Sequence, residues 1–76
     1  MNDVKRMSSL SVGESAAVRA VVAEGSIRRR FVELGMVSGA RVICVGISPL
    51  GDPCAYLIRD KIIAIRKRDA SGVVID

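Results

Sequence analysis

The stretch RVICVGISPLGDPCAYLIRDKIIAIR, Arg41 to Arg66, holds three apolar runs separated by two breaks. In the first, Arg41, Ile43, Val45 and Ile47 alternate with Val42, Cys44 and Gly46, and branched residues at this period dictate a strand. Apolar residues at both parities predict burial on both faces, as in a small closed barrel, with Gly46 permitting the bend of a barrel corner. Pro49-Leu50-Gly51-Asp52-Pro53 follows as a rigid loop, because two prolines fix φ on either side of the flexible glycine. CAYLIR and IIAIR are two further strands, parted by a tight turn at Asp60-Lys61. Together the three runs form an antiparallel meander.

Upstream of the meander, SAAVRAVVA (15–23) predicts another strand, with Ala16, Val18, Ala20 and Val22 on one face and Arg19 on the other. SIRRRFVELG (26–35) predicts a helix of about two turns with Ser26 as N-cap, since Ile27, Phe31 and Leu34 stand at i, i+4 and i+7. Gly35 ends it by taking the left-handed conformation, so that Met36 or Val37 folds back onto the helix. Val37-Ser38-Gly39-Ala40 is the turn into the meander. Downstream, Lys67 to Ser71 suits one turn of 3₁₀ helix, and Val73-Val74-Ile75 a closing strand. Residues 1–9 read as a polar lead-in, with Leu10 and Val12 as the first anchors and 10–76 as a single domain. The expected fold is mainly β: a small SH3-like or OB-like barrel of about five strands, with one short helix between the first two and no exposed edge.

A chain of 76 residues has material for one hydrophobic core and must commit nearly all its apolar side chains to it. Half the residues are apolar and 26% are charged, which rules out a disordered chain. No apolar run approaches the roughly 18 residues that cross a bilayer, and the N-terminal residues lack the apolar stretch of a signal peptide, so a cytoplasmic location is expected. Cys44 and Cys54 stand singly in apolar segments and read as small core residues in a reducing setting.

The inventory of reactive groups is thin. There is no His and no CxxC, and the eight acids (Asp3, Glu14, Glu24, Glu33, Asp52, Asp60, Asp69, Asp76) are spread singly. Neither a zinc site, nor a paired-carboxylate site, nor a Cys-His nucleophile can be assembled from such a set, and no glycine loop of the phosphate-cradling kind occurs. The expectation is a protein that is not an enzyme and carries no cofactor and no metal.

Net charge is +4, with Arg28-Arg29-Arg30 consecutive and Lys61, Arg66, Lys67 and Arg68 close together, which favours acidic partners without naming one. Nucleic acid is disfavoured because single-strand readers stack bases on several exposed rings. Only Phe31 and Tyr56 are aromatic here, and Phe31 is a core position. The same scarcity excludes an aromatic groove for proline-rich peptides. What remains is a binding module whose candidate contact surface is the Pro49–Pro53 loop and the basic residues near it, with Leu50 either folded over the barrel mouth or held out for a partner.

Three motifs in order, LGMVSG (34–39), PLGDP (49–53) and IAIRKRDA (63–70), with Arg30 ahead of the first and Val45 four residues before the second, resemble the FeoA family of ferrous iron transport accessory proteins. The likeness runs over about residues 10–76. It implies an SH3-like barrel in the cytosol that acts with FeoB, a membrane ferrous transporter with a GTP-binding domain on its cytoplasmic side. The fold is also similar to the carboxy-terminal barrel of iron-dependent repressors. Ser38 stands where the family often has proline, Phe31 where leucine is usual, and Asp60 where glycine is common. Carried over by motif, Pro49, Leu50, Gly51, Asp52, Pro53, Arg59 and Arg66 become the partner-facing residues, and Leu34, Gly35, Met36 and Gly39 the structural motif. Two other readings stay open: a basic barrel that binds nucleic acid, and a metal-sensing module.

Overall fold

The computed structural model describes residues 4–76; Asp3 and the first part of the lead-in lie outside the described residues. The meander forms as the alternation dictates: β3 (Arg41–Ile47), β4 (Cys54–Ile58) and β5 (Lys61–Ile65), with Ile43 opposite Leu57 and Leu57 opposite Ile62. The β4–β5 turn falls at Arg59-Asp60, one residue earlier than predicted, because Ile58 pairs with Lys61. Arg59 enters that turn with φ 59°, a conformation unfavourable for a side chain of its size.

Counting from the N-terminus, the remaining elements are β1 (Lys5–Arg6), a 3₁₀ turn (Met7–Ser9), β2 (Ser15–Val21), α1 (Gly25–Glu33), α2 (Lys67–Ala70) and β6 (Val73–Ile75). All strand pairs are antiparallel, in the order β1-β6-β2-β3-β4-β5. Among the described residues there are thus six strands, against an expected count of about five. The extra one comes from the lead-in: Lys5 pairs with Ile75 and Arg6 with Val74, and Met7 is buried just behind them. Of the two expected anchors Leu10 is buried, whereas Val12 is 57% exposed on a turn. Among the described residues hydrogen bonding ends at β1 and β5, so the sheet keeps two edges there.

Two bulges explain where the burial pattern departs from simple alternation. In β2, Val18 pairs with Ile75 but Ala20 with Val74, so one extra residue at Arg19 reverses the phase. Ala16 and Val18 keep the inward face, while Val21 and Ala23 replace the predicted Ala20 and Val22, both of which are exposed. In β3 the register shifts between Cys44 and Gly46, at the corner where the glycine was expected to bend the chain. Burial there is one-sided. Val42 and Cys44 are in the core, Ile43 is half-buried, and Arg41, Val45 and Ile47 are exposed, against the expectation of two buried faces.

Helix α1 begins at Gly25 with Glu24 as N-cap, because the glycine's φ of 68° turns the chain in before Ser26, and no side chain caps this end. Its C-terminus matches the sequence. Gly35 has φ 93°, its N–H donates to the Val32 carbonyl at 3.0 Å, and the Met36 N–H donates to the Phe31 carbonyl at 3.0 Å. Met36 and Phe31 are then buried together, with Leu34 and Ile27 packed against the core. Gly39, at φ 91°, forms the turn that closes with Ala40 N–H on the Val37 carbonyl, and its own N–H reaches the Val18 carbonyl at 2.7 Å. The predicted 3₁₀ turn near residue 70 is one turn of α-helix instead, set by Ala70 and Ser71 N–H bonds to the Arg66 and Lys67 carbonyls.

Candidate functional site

Between β3 and β4 the loop is held by its own polar atoms. The Gly51 N–H donates to the Ser48 carbonyl at 2.8 Å, the Ser48 Oγ–H to the Asp52 carbonyl at 2.7 Å, and the Ser48 N–H to the Pro53 carbonyl at 3.2 Å. Gly51 has φ 88°, and the Asp52–Pro53 peptide is cis. Asp52 ties this loop to the rest of the molecule: its Oδ1 accepts the Lys67 N–H at 2.8 Å, one of the donors left over at the start of α2. Leu50, the tip, is 94% exposed. The backbone that holds this apolar side chain out is fixed at both ends, so the loop itself has little order left to gain when a partner arrives.

The other residues assigned by motif are dispersed around this loop. Pro49 is exposed beside Leu50, and Pro53 and Gly51 are half-buried at its base. Arg66 is exposed at the N-cap of α2, one residue from the Asp52 tie. Arg59 stands at the opposite end of the sheet, where its side chain lies directly on Gly35 and forms the wall shared by two shallow clefts, one of about 370 Å³ beside Glu33 and Lys61, the other beside Val37 and Ile43. Loop and Arg59 are therefore not one site. Sequence reasoning missed Val45 and Ile47, 39% and 43% exposed at the loop end of β3, which extend the apolar character of Leu50. Their signal was the bulge-forming Gly46.

Losing the Asp52 carboxylate frees both the loop and the start of α2. Asp52→Ala is expected to cost about 1 kcal/mol, in line with other lost helix caps, and urea titration measures it. An unchanged midpoint would show that the carboxylate contributes nothing to the fold.

Tyr56 and Phe31, the two rings, are both in the core, so neither is available to stack on a base. The Tyr56 hydroxyl donates to the Met7 carbonyl at 3.4 Å. Burial, and then the neighbouring Cys54, raise its pKa above the ordinary 10.0. Cys44 and Cys54 are free, buried thiols, and burial likewise raises Cys44 above its ordinary 9.0. Among the described residues no group of three or more His, Cys, Asp or Glu converges as a metal site requires. Among the same residues no helix is long and apolar enough to cross a membrane.

The family model described as "FeoA domain" matches residues 5–76. A curated relative, the Fe(2+) transport protein A/Fe(2+) transporter FeoB fusion protein of Porphyromonas gingivalis, is 34% identical over 71 residues. The match takes in 93% of this chain and 8% of that protein, so the chain spans a small fraction of the length of this relative. The crystal structure of Stenotrophomonas maltophilia FeoA, described as an SH3 domain protein complexed with zinc, is 34% identical, covering 95% of this chain and 89% of that one with a TM-score of 0.86. At 18% identity the IdeR of T. acidophilum shares the fold alone, with a TM-score of 0.81 over 99% of this chain and 34% of that one. With its six-stranded SH3-like sheet and a family match running from β1 to the last residue, this chain belongs to the FeoA family.

Proposed function

We propose that the chain is a cytoplasmic, non-catalytic adaptor that docks through the Pro49–Pro53 loop on the cytoplasmic G-protein part of a FeoB-type transporter and modulates ferrous iron uptake. The observation that carries this reading is Leu50, 94% exposed on a loop pinned by Ser48, Gly51 and Asp52. The P. gingivalis relative supports the choice of partner, since there the two proteins are one polypeptide. Fusion keeps modules that must meet at high effective concentration. The thin inventory of reactive groups supports a role carried by shape rather than by turnover. Nucleic-acid binding is weakened by the burial of both rings, and the metal-sensing reading has behind it the fold likeness to the T. acidophilum IdeR and the zinc of the S. maltophilia crystal structure.

Leu50→Asp tests the proposal. Burying a leucine is worth about 1.5–3 kcal/mol, so affinity for the transporter's cytoplasmic part is expected to fall about 10- to 100-fold. Thermal stability should stay within about 0.5 kcal/mol, as for other exposed positions. Unchanged binding, measured by calorimetry on the purified pair, would remove the loop from the interface.

A further inference from the structure

β5 is an edge: among the described residues β4 is its one hydrogen-bonded neighbour. The two-residue turn makes Ile58–Lys61 a hydrogen-bonded pair, so Tyr56–Ile63 and Cys54–Ile65 are hydrogen-bonded pairs as well. Ile62 and Ala64 fall at the alternate positions, and their N–H and C=O groups therefore point away from β4 to the open side. Their side chains share the outer face of the sheet with Leu57 and Ala55, and Leu57 in turn stands opposite Ile43. Ile62 is 67% exposed. Backbone groups without a partner and an apolar row thus coincide on one strand.

Charge is concentrated on the same segment. From Arg59 to Arg68 there are five cations and one carboxylate, Asp60, a net +4 that equals the charge of the whole chain, so all other residues sum to zero. Among the described residues no carboxylate lies within 4.0 Å of Arg59, Lys61 or Arg66. A second copy is a poor occupant. Antiparallel pairing of β5 with itself about Ile63 would set +4 against +4 and place Arg59 opposite Lys67. A nucleic acid or a lipid headgroup would meet the cations but leave the strand's backbone groups unused.

We infer that the β5 edge accepts an extended acidic segment of a partner protein, which adds a seventh, antiparallel strand beside Ile62 and Ala64. The pattern that fits is acid-x-apolar-x-apolar-x-acid. The apolar residues lie opposite Ala64 and Ile62, one acid opposite Arg66, and the other opposite the turn, within reach of Arg59 and Lys61. Main-chain hydrogen bonds supply affinity in such an addition, and alternate side chains supply selectivity. With no segment bound, the cations also keep the edge from pairing with other copies. This inference does not rest on the loop reading, since it concerns the backbone of β5 and not Leu50.

The test is a titration of the ¹⁵N-labelled chain with a synthetic peptide of that pattern and with a scrambled peptide of the same composition. Perturbed amides confined to the β5 edge and its flanking cations, with new exchange protection at Ile62 and Ala64, are expected for the patterned peptide. Ile62→Pro removes an outward N–H and leaves the β4 ladder intact, and should weaken binding about tenfold, as should Arg66→Glu. If Ile62→Pro fails to fold, the exchange protection of the unaltered chain decides the matter. Equal binding of the scrambled peptide, binding indifferent to a folded Ile62→Pro, or no response at millimolar peptide would overturn the inference.

Discussion

Tyr56→Ala is expected to lower the unfolding midpoint by at least about 12 °C, because emptying a buried aromatic site costs about 3–5 kcal/mol and each kcal/mol is worth about 4–8 °C in a domain of this size. The whole molecule, at 76 residues, has a stability of the order of 4–11 kcal/mol to lose from. Tyr56 is fully buried in the middle of β4, paired with Cys44 on β3 and Ile63 on β5, and its hydroxyl reaches the Met7 carbonyl 49 residues away. Alanine would leave a void where the meander meets the N-terminal turn. Tyr56→Phe separates packing from hydrogen bonding: the lost bond is long at 3.4 Å, so phenylalanine should cost no more than about 1 kcal/mol. Calorimetric melting of the two variants provides the check. A Tyr56→Ala midpoint within a few degrees of the unaltered chain would mean that the core is not organised around this ring.

Gly35→Ala is expected to destabilise by about 1.5–3.5 kcal/mol from two additive sources. A residue other than glycine at φ 93° costs about 1–2 kcal/mol. The new Cβ would also overlap the exposed Arg59 side chain, whose Cδ and Cζ would lie 3.0 and 3.2 Å from it, and pushing that side chain off its rotamer costs about 0.5–1.5 kcal/mol. Only the second source depends on Arg59. In an Arg59→Ala background Gly35→Ala should therefore cost about 1 kcal/mol less, an interaction that a double-mutant cycle reads directly. Strict additivity of the two substitutions would show that arginine moves aside freely and that the glycine serves the helix end alone.

The parts of the fold that were legible in the sequence are those fixed by near neighbours. Branched residues at alternate positions gave β3, β4 and β5; Gly35 stopped α1 because its conformation is decided within a few residues; and two prolines around Gly51 marked the loop. Whatever depends on a distant segment was not legible. Lys5-Arg6 carries no strand signal of its own and pairs only because Val74 and Ile75 return to it some 70 residues later. The extra residue at Arg19 is defined by its mismatch with β6, and from that point the inward face passes from Ala20 and Val22 to Val21 and Ala23. Of the motif residues, Leu50 stands where exposure was one of two open readings. Asp52 has a structural use, in the bond to Lys67, that no local pattern announces. Arg59 was grouped with the loop because chain spacing does not reveal that the two lie at opposite ends of a strand pair.

The imbalance of charge along the chain has a kinetic consequence. A body of net charge +4 whose excess lies between Arg59 and Arg68 carries that charge off-centre, and in an external field it is rotated as well as attracted. Near a negatively charged surface it would arrive with that segment leading, within a Debye length of roughly 8 Å at physiological salt. Long-range forces would thus select the approach orientation before any short-range contact forms.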